Sequence, residues 1–253
     1  MTRAAPFPAS PDRVLLAGDW HSNTPRAVEL VRIARAKGCN VVVQLGDFGF
    51  WVPDRRTTSH LDRINAACIE NNVTVLWVDG NHEDHATLNG APISPKGFRR
   101  TRSHIIHLPR GFRWEWHGDT WLALGGAHSV DTFMRKEGVS VWQEEHISED
   151  DVRRAVEGGP VDVMVTHDCP DGVDIPGLTS QFPDHELYRA DLHRKTLGDV
   201  VDVVQPYMLF HGHYHVRYTA RRARPGGGDT LVTGLADDMS RLRDNFMVLE
   251  LKD

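Results

Sequence analysis

The sequence predicts an α/β protein in which parallel β-strands alternate with helices. Three short apolar runs have the length and composition of buried strands: Val14–Ala17, Val41–Leu45 and Val73–Val78. Segments with helical patterns separate them, and this β-α-β-α-β order favours a parallel sheet with right-handed crossovers. Ligands of open α/β sheets bind beyond the carboxyl ends of the strands, so the residues after these runs are candidates for a functional site.

Two helices are predicted between these strands. The first is opened by Thr24, with Pro25 at its first position and Gly38 at its end. Proline suits the first turn because its missing N–H would have no partner there, and glycine readily ends a helix. The second helix is predicted over Leu61–Ile69.

The second half of the chain contains shorter strands and further helices. Ile105–Leu108, Phe112–Trp116 and Trp121–Leu124 are separated by turn residues, and we expect them to begin a second sheet. The other predicted elements are a capped helix from Ser148 to Gly158, a strand at Val161–Val165, a helix at His185–Leu197, a strand at Met208–Phe210, and closing β-structure at Val216–Ala220, Leu231–Thr233 and Phe246–Leu251 around a Pro225–Gly228 turn.

Five polar stretches follow apolar β-like runs and supply side chains that bind metals well. Carboxylates, imidazoles and one amide oxygen suit divalent Mn, Fe, Zn or Co, and the near absence of thiolate argues against a Cys-rich zinc site or an iron–sulfur cluster. The stretches are Asp19-Trp20-His21, Gly46-Asp47, Gly80-Asn81-His82-Glu83, Thr166-His167 and Gly212-His213-Tyr214-His215. The candidate ligands are Asp19, His21, Asp47, Asn81, His167, His213 and His215.

Each stretch also has a simpler interpretation. An aspartate after a strand is commonly a turn or helix cap, Gly-Asn-His-Glu is compatible with a turn, and the Gly212–His215 stretch is compatible with an exposed loop. Their joint occurrence, in order and each after an apolar run, favours one shared site.

Written as DxH, GD, GNH[ED], H and GHxH, the series resembles the calcineurin-like metallophosphoesterase superfamily from Asp19 to His215. The resemblance implies an αββα sandwich, in which two packed mixed β-sheets are flanked by helices. It also implies two metal ions. One would be held by Asp19, His21, Asp47 and His215, and the other by Asp47, Asn81, His167 and His213, with Asp47 as the bridge.

The resemblance assigns catalysis to Asp47 and His82. Two divalent ions about 3.5 to 4 Å apart can hold a bridging hydroxide near neutral pH and clamp the phosphoryl oxygens. His82 is expected to protonate the leaving oxygen, since imidazole titrates near working pH. Mn²⁺ or Fe²⁺/Fe³⁺ is favoured, and Zn²⁺, Co²⁺ and Ni²⁺ are compatible. Glu83 and Asp84 are equally compatible with orienting neighbouring histidines and with capping.

Length and composition set further bounds. The 253 residues, 40% of them hydrophobic, can bury one large core, and because the ligands come from both halves we expect a single domain over residues 1–253. The net charge of -6 gives no overall attraction for nucleic acid or anionic lipid.

Cys39, Cys68 and Cys169 lack a disulfide or metal-site spacing, and Cys169 is expected to be a small buried side chain. We expect no membrane association and a cytoplasmic location, because the sequence has neither a secretory segment nor a membrane span.

The substrate is predicted from two departures from a known pattern. Serine/threonine phosphatases of the superfamily carry GDxxDRG and an arginine before GNHE, whereas Phe50, Trp51 and Asp79 occupy those positions here. The compact series looks more like bacterial and phage phosphodiesterases. We therefore expect a phosphodiesterase acting on a small nucleotide, with 2',3'-cyclic nucleotides favoured over 3',5'-cyclic ones.

Three alternatives are left open. The first is a protein phosphatase of the serine/threonine type or another phosphomonoesterase. The second is a nuclease acting on DNA or RNA, which the net charge does not favour. The third is a non-catalytic scaffold, which would be expected to lose ligands or the acid histidine. The sequence specifies no oligomeric state.

Several residues are compatible with either a substrate role or a structural one. Phe50 and Trp51 suit base stacking as well as core packing. Two loops, Ser129–Ser140 and Pro170–Pro183, are long enough to form walls around the site. The arginines that suit either phosphate contact or a solvated surface are Arg99, Arg100, Arg102, Arg221, Arg222 and Arg224.

Overall fold

Two six-stranded β-sheets stack face to face in the computed structural model, which describes residues 5–178 and 181–252. Helices cover the outer face of each sheet. This arrangement confirms the predicted α/β fold, an αββα sandwich of two mixed sheets flanked by helices.

The elements alternate along much of the chain. The strands are β1 (Arg13–Ala17), β2 (Val41–Gln44), β3 (Thr74–Trp77), β4 (Arg99–Arg102), β5 (Ile105–His107), β6 (Phe112–Trp116), β7 (Asp119–Leu124), β8 (Val163–Thr166), β9 (Met208–His211), β10 (Tyr218–Ala223), β11 (Asp229–Gly234) and β12 (Phe246–Glu250). The helices are α1 (Thr24–Ala36), α2 (Arg55–Asn71), α3 (His85–Gly90), α4 (Glu149–Glu157), α5 (Asp184–Val204) and α6 (Leu242–Asn245). The first sheet has the order β12-β1-β2-β3-β5-β4, and the second has the order β10-β11-β9-β8-β7-β6.

The hydrophobic core has three layers. In β1, Val14 and Leu16 face the second sheet, whereas Leu15 and Ala17 face the helices, as the two-residue period of a strand requires. The layer between the sheets includes a group of buried tryptophans on β6 and β7. The outer layers pack α1 and α2 on the first sheet, and α4 and α5 on the second.

The prediction that Ile105–Leu108 begins the second sheet is wrong. Ile105–His107 forms β5 of the first sheet, where it pairs in parallel with β3 and places Ile105 opposite Val75. The second sheet begins instead at β6, which forms an antiparallel hairpin with β7. The composition of a short strand indicates that it is buried, but its neighbour depends on the path of the chain that precedes it.

Asn23, and not Thr24, caps the first helix. The Asn23 side chain accepts a hydrogen bond from the Arg26 N–H at 3.2 Å, so Pro25 is the second residue of α1. Proline is still within the first turn, where no N–H is needed. Gly38 lies just beyond the helix with a φ of +77°, as expected of a terminating glycine.

Other helices extend beyond their predicted bounds or were not predicted. Asp54 caps α2 by accepting from Arg56 and Thr57, so this helix begins before Leu61. α5 continues past Leu197 because its apolar face packs on the second sheet. α3 and the edge strand β4 are short, and their sequences have no clear periodicity.

The described residues include no helix that is long and apolar enough to cross a membrane. The three cysteines are buried free thiols. Cys169 lies in the core layer between the second sheet and its helices, as predicted for a small buried side chain.

Candidate metal centre

The seven candidate ligands lie in loops at the carboxyl ends of parallel strands. β1, β2 and β3 are parallel neighbours in the first sheet, as are β8 and β9 in the second. Because the sheets pack face to face, these loops meet at one edge of the sandwich. Asp19 and His21 follow β1, Asp47 follows β2, Asn81 follows β3, His167 follows β8, and His213 and His215 follow β9.

One group of ligands surrounds the Asp19 carboxylate. His215 Nε2 lies 3.1 Å from Asp19 Oδ2, and His21 Nε2 lies 3.9 Å from the same oxygen. His21 Nε2 is also 3.3 Å from Asp47 Oδ2. Donor atoms of Asp19, His21 and His215 all lie within 4.8 Å of one another, close enough to hold one metal ion.

A second group surrounds His167. Its Nε2 atom lies 3.0 Å from Asn81 Oδ1 and 3.5 Å from Asp47 Oδ1. The ring of His213 packs edge-on against the His167 ring, with centroids 5.0 Å apart. Asp47 therefore presents Oδ2 to the first group and Oδ1 to the second, as a bridging carboxylate would.

The donor set fits divalent metal ions. Asp19 and Asp47 are buried carboxylates, and a buried negative charge is costly unless positive charge lies beside it. Carboxylate oxygens, imidazole nitrogens and an amide oxygen are ligands of Mn, Fe and Zn. The sets that these residues form are compatible with two neighbouring ions that share Asp47.

The carboxylates change the protonation of the histidines. Burial lowers the pKa of His21, but hydrogen bonds to Asp238 and Asp47 outweigh it and raise the pKa to about 11. Burial also opposes protonation of His167, yet the charge of Asp47 raises its pKa to about 10. Metals bind the unprotonated ring, so metal binding should release protons and become tighter as pH rises. Burial lowers the pKa of His213 to about 3, which keeps its ring neutral.

The ligand loops are held in an uncommon backbone conformation. His21, Asp47, His213 and His215 all have positive φ, between +40° and +67°. Residues other than glycine rarely adopt this region, and such strain is concentrated at functional sites. The surrounding fold therefore imposes the conformation, because local sequence preference does not favour it.

Two motif glycines allow the loops to approach one another. A Cβ atom on Gly80 would overlap Asp47 Oδ1, and one on Gly212 would overlap Asp19 Oδ1. The glycines of the GNH and GHxH motifs are therefore required because a carboxylate ligand occupies the space of a side chain.

His82 lies beside the ligands and faces Asp47. Its backbone N–H donates to Asp47 Oδ1 at 2.9 Å, and its Nε2 lies 3.9 Å from Asp47 Oδ2. On the other side of the ring, Arg135 donates from Nη2 to His82 Nδ1 at 2.5 Å. Burial lowers the pKa of His82, the charge of Asp47 opposes this, and the charge of Arg135 adds to it. Since Nδ1 accepts from arginine, the neutral ring carries its proton on Nε2.

Asn81 is oriented by residues that the sequence did not point to. Its Nδ2 donates to Ser129 Oγ at 2.9 Å, which turns Oδ1 toward His167. Ser129 in turn donates to Glu145 at 2.6 Å and accepts from Arg135 at 2.8 Å. One network thus supports both the amide ligand and the partner of His82.

Glu83 and Asp84 do not orient histidines in the described part of the chain. Glu83 is fully buried and accepts from the backbone N–H groups of Gly49 and Gly80, which joins two ligand loops. Burial raises the pKa of Glu83 to about 8. Asp84 caps α3 by accepting from Thr87, so the capping interpretation is right for this residue.

His21 is held by an aspartate from the loop after β11. Asp238 Oδ1 lies 2.8 Å from His21 Nδ1, and its second oxygen accepts from Asn23 at 2.8 Å. The neighbouring Asp237 lies 3.5 Å from His215 Nδ1. A carboxylate on Nδ1 fixes the ring and leaves Nε2 available to bind a metal ion. Their position directly after an apolar strand is the signal that could have identified these two aspartates.

We expect Asp238→Asn to weaken metal binding about 10- to 100-fold, the usual effect of losing a hydrogen-bond partner of a ligating histidine. Metal affinity can be measured by calorimetric titration of the chelated protein with Mn²⁺. Asp150→Asn is a matched control, because Asp150 is an exposed carboxylate paired with Arg153. Equal affinities of the two variants would show that Asp238 does not position His21.

A cavity of about 650 Å³ opens beside the candidate ligands. Both predicted wall loops contribute to it, although residues 179 and 180 of the second loop lie outside the described residues. The candidate ligands and the neighbouring histidine in its lining are Asp47, Asn81, His82, His213 and His215. The lining also includes an apolar group, which consists of Val130, Met134, Ile175, Pro176, Leu178, Phe182, Leu187 and Ala190.

Other proposed substrate contacts lie outside the lining of this cavity. Phe50 is buried against Trp77, with ring centroids 5.8 Å apart, and Trp51 is partly exposed. The arginines make structural contacts. Arg99 and Arg224 donate to backbone carbonyls, Arg100 lies over Phe98, and Arg102, Arg221 and Arg222 pair with aspartates.

The fold and this site define the class of the protein. The sequence matches the calcineurin-like phosphoesterase family over residues 12–217, and the chain belongs to that family. The resemblance drawn from the five motifs is confirmed. Metal-dependent hydrolysis of phosphoesters is the activity of the family.

Solved structures share the fold at low sequence identity. The protein TT1561 of Thermus thermophilus is 12% identical, with a TM-score of 0.54 over 96% of this chain and 100% of that one. A dimetal phosphatase from Danio rerio is 15% identical, with a TM-score of 0.56 over 96% of this chain and 94% of that one. No curated protein sequence matches this chain.

Proposed function

We propose that this protein is a metal-dependent phosphodiesterase that acts on small nucleotides, with 2',3'-cyclic nucleotides favoured. The observation that carries the proposal is a cavity whose lining combines His82 and candidate metal ligands with a group of apolar residues. A cyclic nucleotide has a single negative charge on its phosphodiester and an uncharged base. These two parts match the two kinds of lining residue.

The proposed ligand assignment follows the two groups of side chains. Asp19, His21 and His215 would hold one ion, Asn81, His167 and His213 would hold the other, and Asp47 would contact both. When bound, two divalent ions supply a nucleophile from water near neutral pH and offset charge on the phosphoryl oxygens. Mn²⁺ or iron is favoured by the oxygen and imidazole donors, with Zn²⁺, Co²⁺ and Ni²⁺ compatible.

His82 is proposed to protonate the leaving oxygen from Nε2. The acid is the imidazolium form of this side chain, which the charge of Asp47 favours and the charge of Arg135 opposes. Its Nε2 lies 3.9 Å from Asp47 Oδ2, so the proton that is given up would be on the nitrogen next to the candidate ligands.

A protein phosphatase is less well supported. A phosphomonoester carries more negative charge than a diester and needs more cationic contacts. Arg194 is the arginine among the described lining residues, and its guanidinium donates to three backbone carbonyls. Asp79, which replaces the arginine of phosphatases, is buried against Arg110 and His107.

A nuclease is also less well supported. The chain has a net charge of -6, and Asp131 and Asp191 are among the lining residues of the cavity. Both features oppose the approach of a polyanion. We also propose a cytoplasmic location, because the cysteines are free thiols.

We expect kcat/KM to be higher for bis(p-nitrophenyl) phosphate and for 2',3'-cyclic nucleotides than for phosphoserine peptides. The reason is the scarcity of free cationic groups in the described lining of the cavity. The assay compares all substrates with the same preparation, loaded with Mn²⁺. Faster hydrolysis of the phosphopeptides would favour the protein phosphatase alternative, and cleavage of single-stranded DNA with strong salt dependence would favour the nuclease.

A further inference from the structure

We infer that the apolar lining residues of the cavity form a subsite for the organic group of the substrate. This subsite would bind an uncharged group that has apolar surface, such as a nucleobase ring or an alkyl chain. The inference rests on the proposed function, because it assigns the second half of the same cavity.

The size and lining of the cavity support this assignment. Its volume of about 650 Å³ lies within the roughly 300–1,000 Å³ of small-molecule sites. The candidate ligands account for only part of the lining, so the phosphoryl group leaves the remaining space to another part of the substrate. That space is bounded by aliphatic side chains from the 175–178 segment and α5, together with Met134 and Phe182.

Two apolar side chains of the lining are strongly exposed. Met134 is 68% exposed and Leu178 is 57% exposed. Apolar surface in contact with water is unfavourable, and groups of such residues often mark ligand grooves. An apolar group bound against either side chain would remove apolar surface from water, and methionine adapts readily to the shape of a ligand.

Buried polar contacts hold the two walls in place. Glu186, at the start of α5, accepts from Thr132 and lies 2.7 Å from His128 Nε2, which ties this helix to the segment before Met134. Arg194 donates to the carbonyls of Cys169, Pro170 and Val173. These contacts join parts of the protein to one another, so the subsite is largely preformed and less ordering is needed on binding.

The charges of the cavity favour a single phosphate group. Asp131 lies 3.5 Å from Arg135, and Asp191 lies 4.0 Å from Arg194, so the described cations near the cavity already have carboxylate partners. A second phosphate would find no unpaired cation among the described lining residues. The substrate class is therefore a phosphodiester whose organic group is uncharged.

The test is calorimetric titration of the Mn²⁺-loaded protein with dimethyl, diethyl and dibutyl phosphate. Affinity should rise with chain length, by up to about fourfold for each fully buried methylene. In Leu187→Ala, the gain in affinity from dimethyl to dibutyl phosphate should fall at least about threefold, because one wall of the subsite is lost. Ala190→Phe fills the cavity and should weaken dibutyl phosphate more than dimethyl phosphate.

Leu192→Ala is the matched control. Leu192 lies on the same helix, is 46% exposed and is outside the lining of the cavity, so its variant should keep the full gain with chain length. Equal affinity across the series, or an unchanged gain in both lining variants, would overturn the inference. Because no turnover is needed, chain-length-dependent binding without hydrolysis of any diester would support the subsite and reject the proposed function.

Discussion

Asp47→Asn is expected to lose metal binding and turnover together. Asp47 is the residue that faces both groups of candidate ligands, with Oδ2 3.3 Å from His21 Nε2 and Oδ1 3.5 Å from His167 Nε2. Asparagine has one oxygen and no charge, so it can neither contact both groups through oxygen nor offset two dications. The loss of metal affinity should exceed the roughly 10- to 100-fold typical of losing an outer hydrogen-bond partner of a ligand.

The substitution isolates the charge and the second oxygen. Asp47 has a φ of +51°, and asparagine tolerates this left-handed conformation as well as aspartate does. The backbone of the loop should therefore be preserved, which circular dichroism and thermal unfolding can check. Metal content is measured after purification without chelator, and activity is measured on bis(p-nitrophenyl) phosphate. A folded variant that kept two metals and near-normal activity would exclude the bridging role.

His82→Ala should keep two metals and lose activity in proportion to the basicity of the leaving group. On diesters with alkoxide-like leaving groups, the loss should be on the order of 10²- to 10⁴-fold, the usual contribution of general acid catalysis. With p-nitrophenolate, which is stable as an anion, the loss should be smaller. The pattern is expected because a basic leaving oxygen needs the proton that the imidazolium form of His82 would supply, whereas p-nitrophenolate does not.

The experiment compares both kinds of substrate with one metal-loaded preparation. His185→Ala is a suitable control, since His185 is an exposed histidine outside the lining of the cavity. An equal loss on all leaving groups, or the loss of one metal, would identify His82 as a ligand or a positioning residue instead of the acid.

The order of the motifs carried the resemblance that implied the family and the two-sheet fold. The residues alone predicted parallel strands and one shared site, because a buried strand is a local feature of the sequence and polar residues directly after parallel strands meet at one edge. The grouping of Asp19 with His215, and of Asn81 with His167, is a consequence of those strand ends. The glycines of the motifs are visible in the sequence, but the tertiary structure shows why they are needed, because a carboxylate of a neighbouring loop occupies the space of a side chain.

The position of Asp238 after an apolar strand marks it as a candidate, but which ligand each partner contacts could not be predicted in this way. Asp238 contacts His21 across 217 residues of sequence, and Arg135 contacts His82 across 53. Neither pair has a spacing or motif that a periodicity could reveal. The sheet that contains β5 was mispredicted for a similar reason, because strand pairing depends on the chain path and not on the strand itself.

Residue types and their positions after strands thus determined which side chains could hold metals, because that information is local. The packing of the second sheet against the first determined what surrounds those side chains. It brings α5 and the segment around Met134 into the same cavity as the candidate ligands, and their apolar side chains form a wall of that cavity. The proposed substrate preference would depend on that wall, and its residues come from loops and helix faces that only the tertiary fold places together.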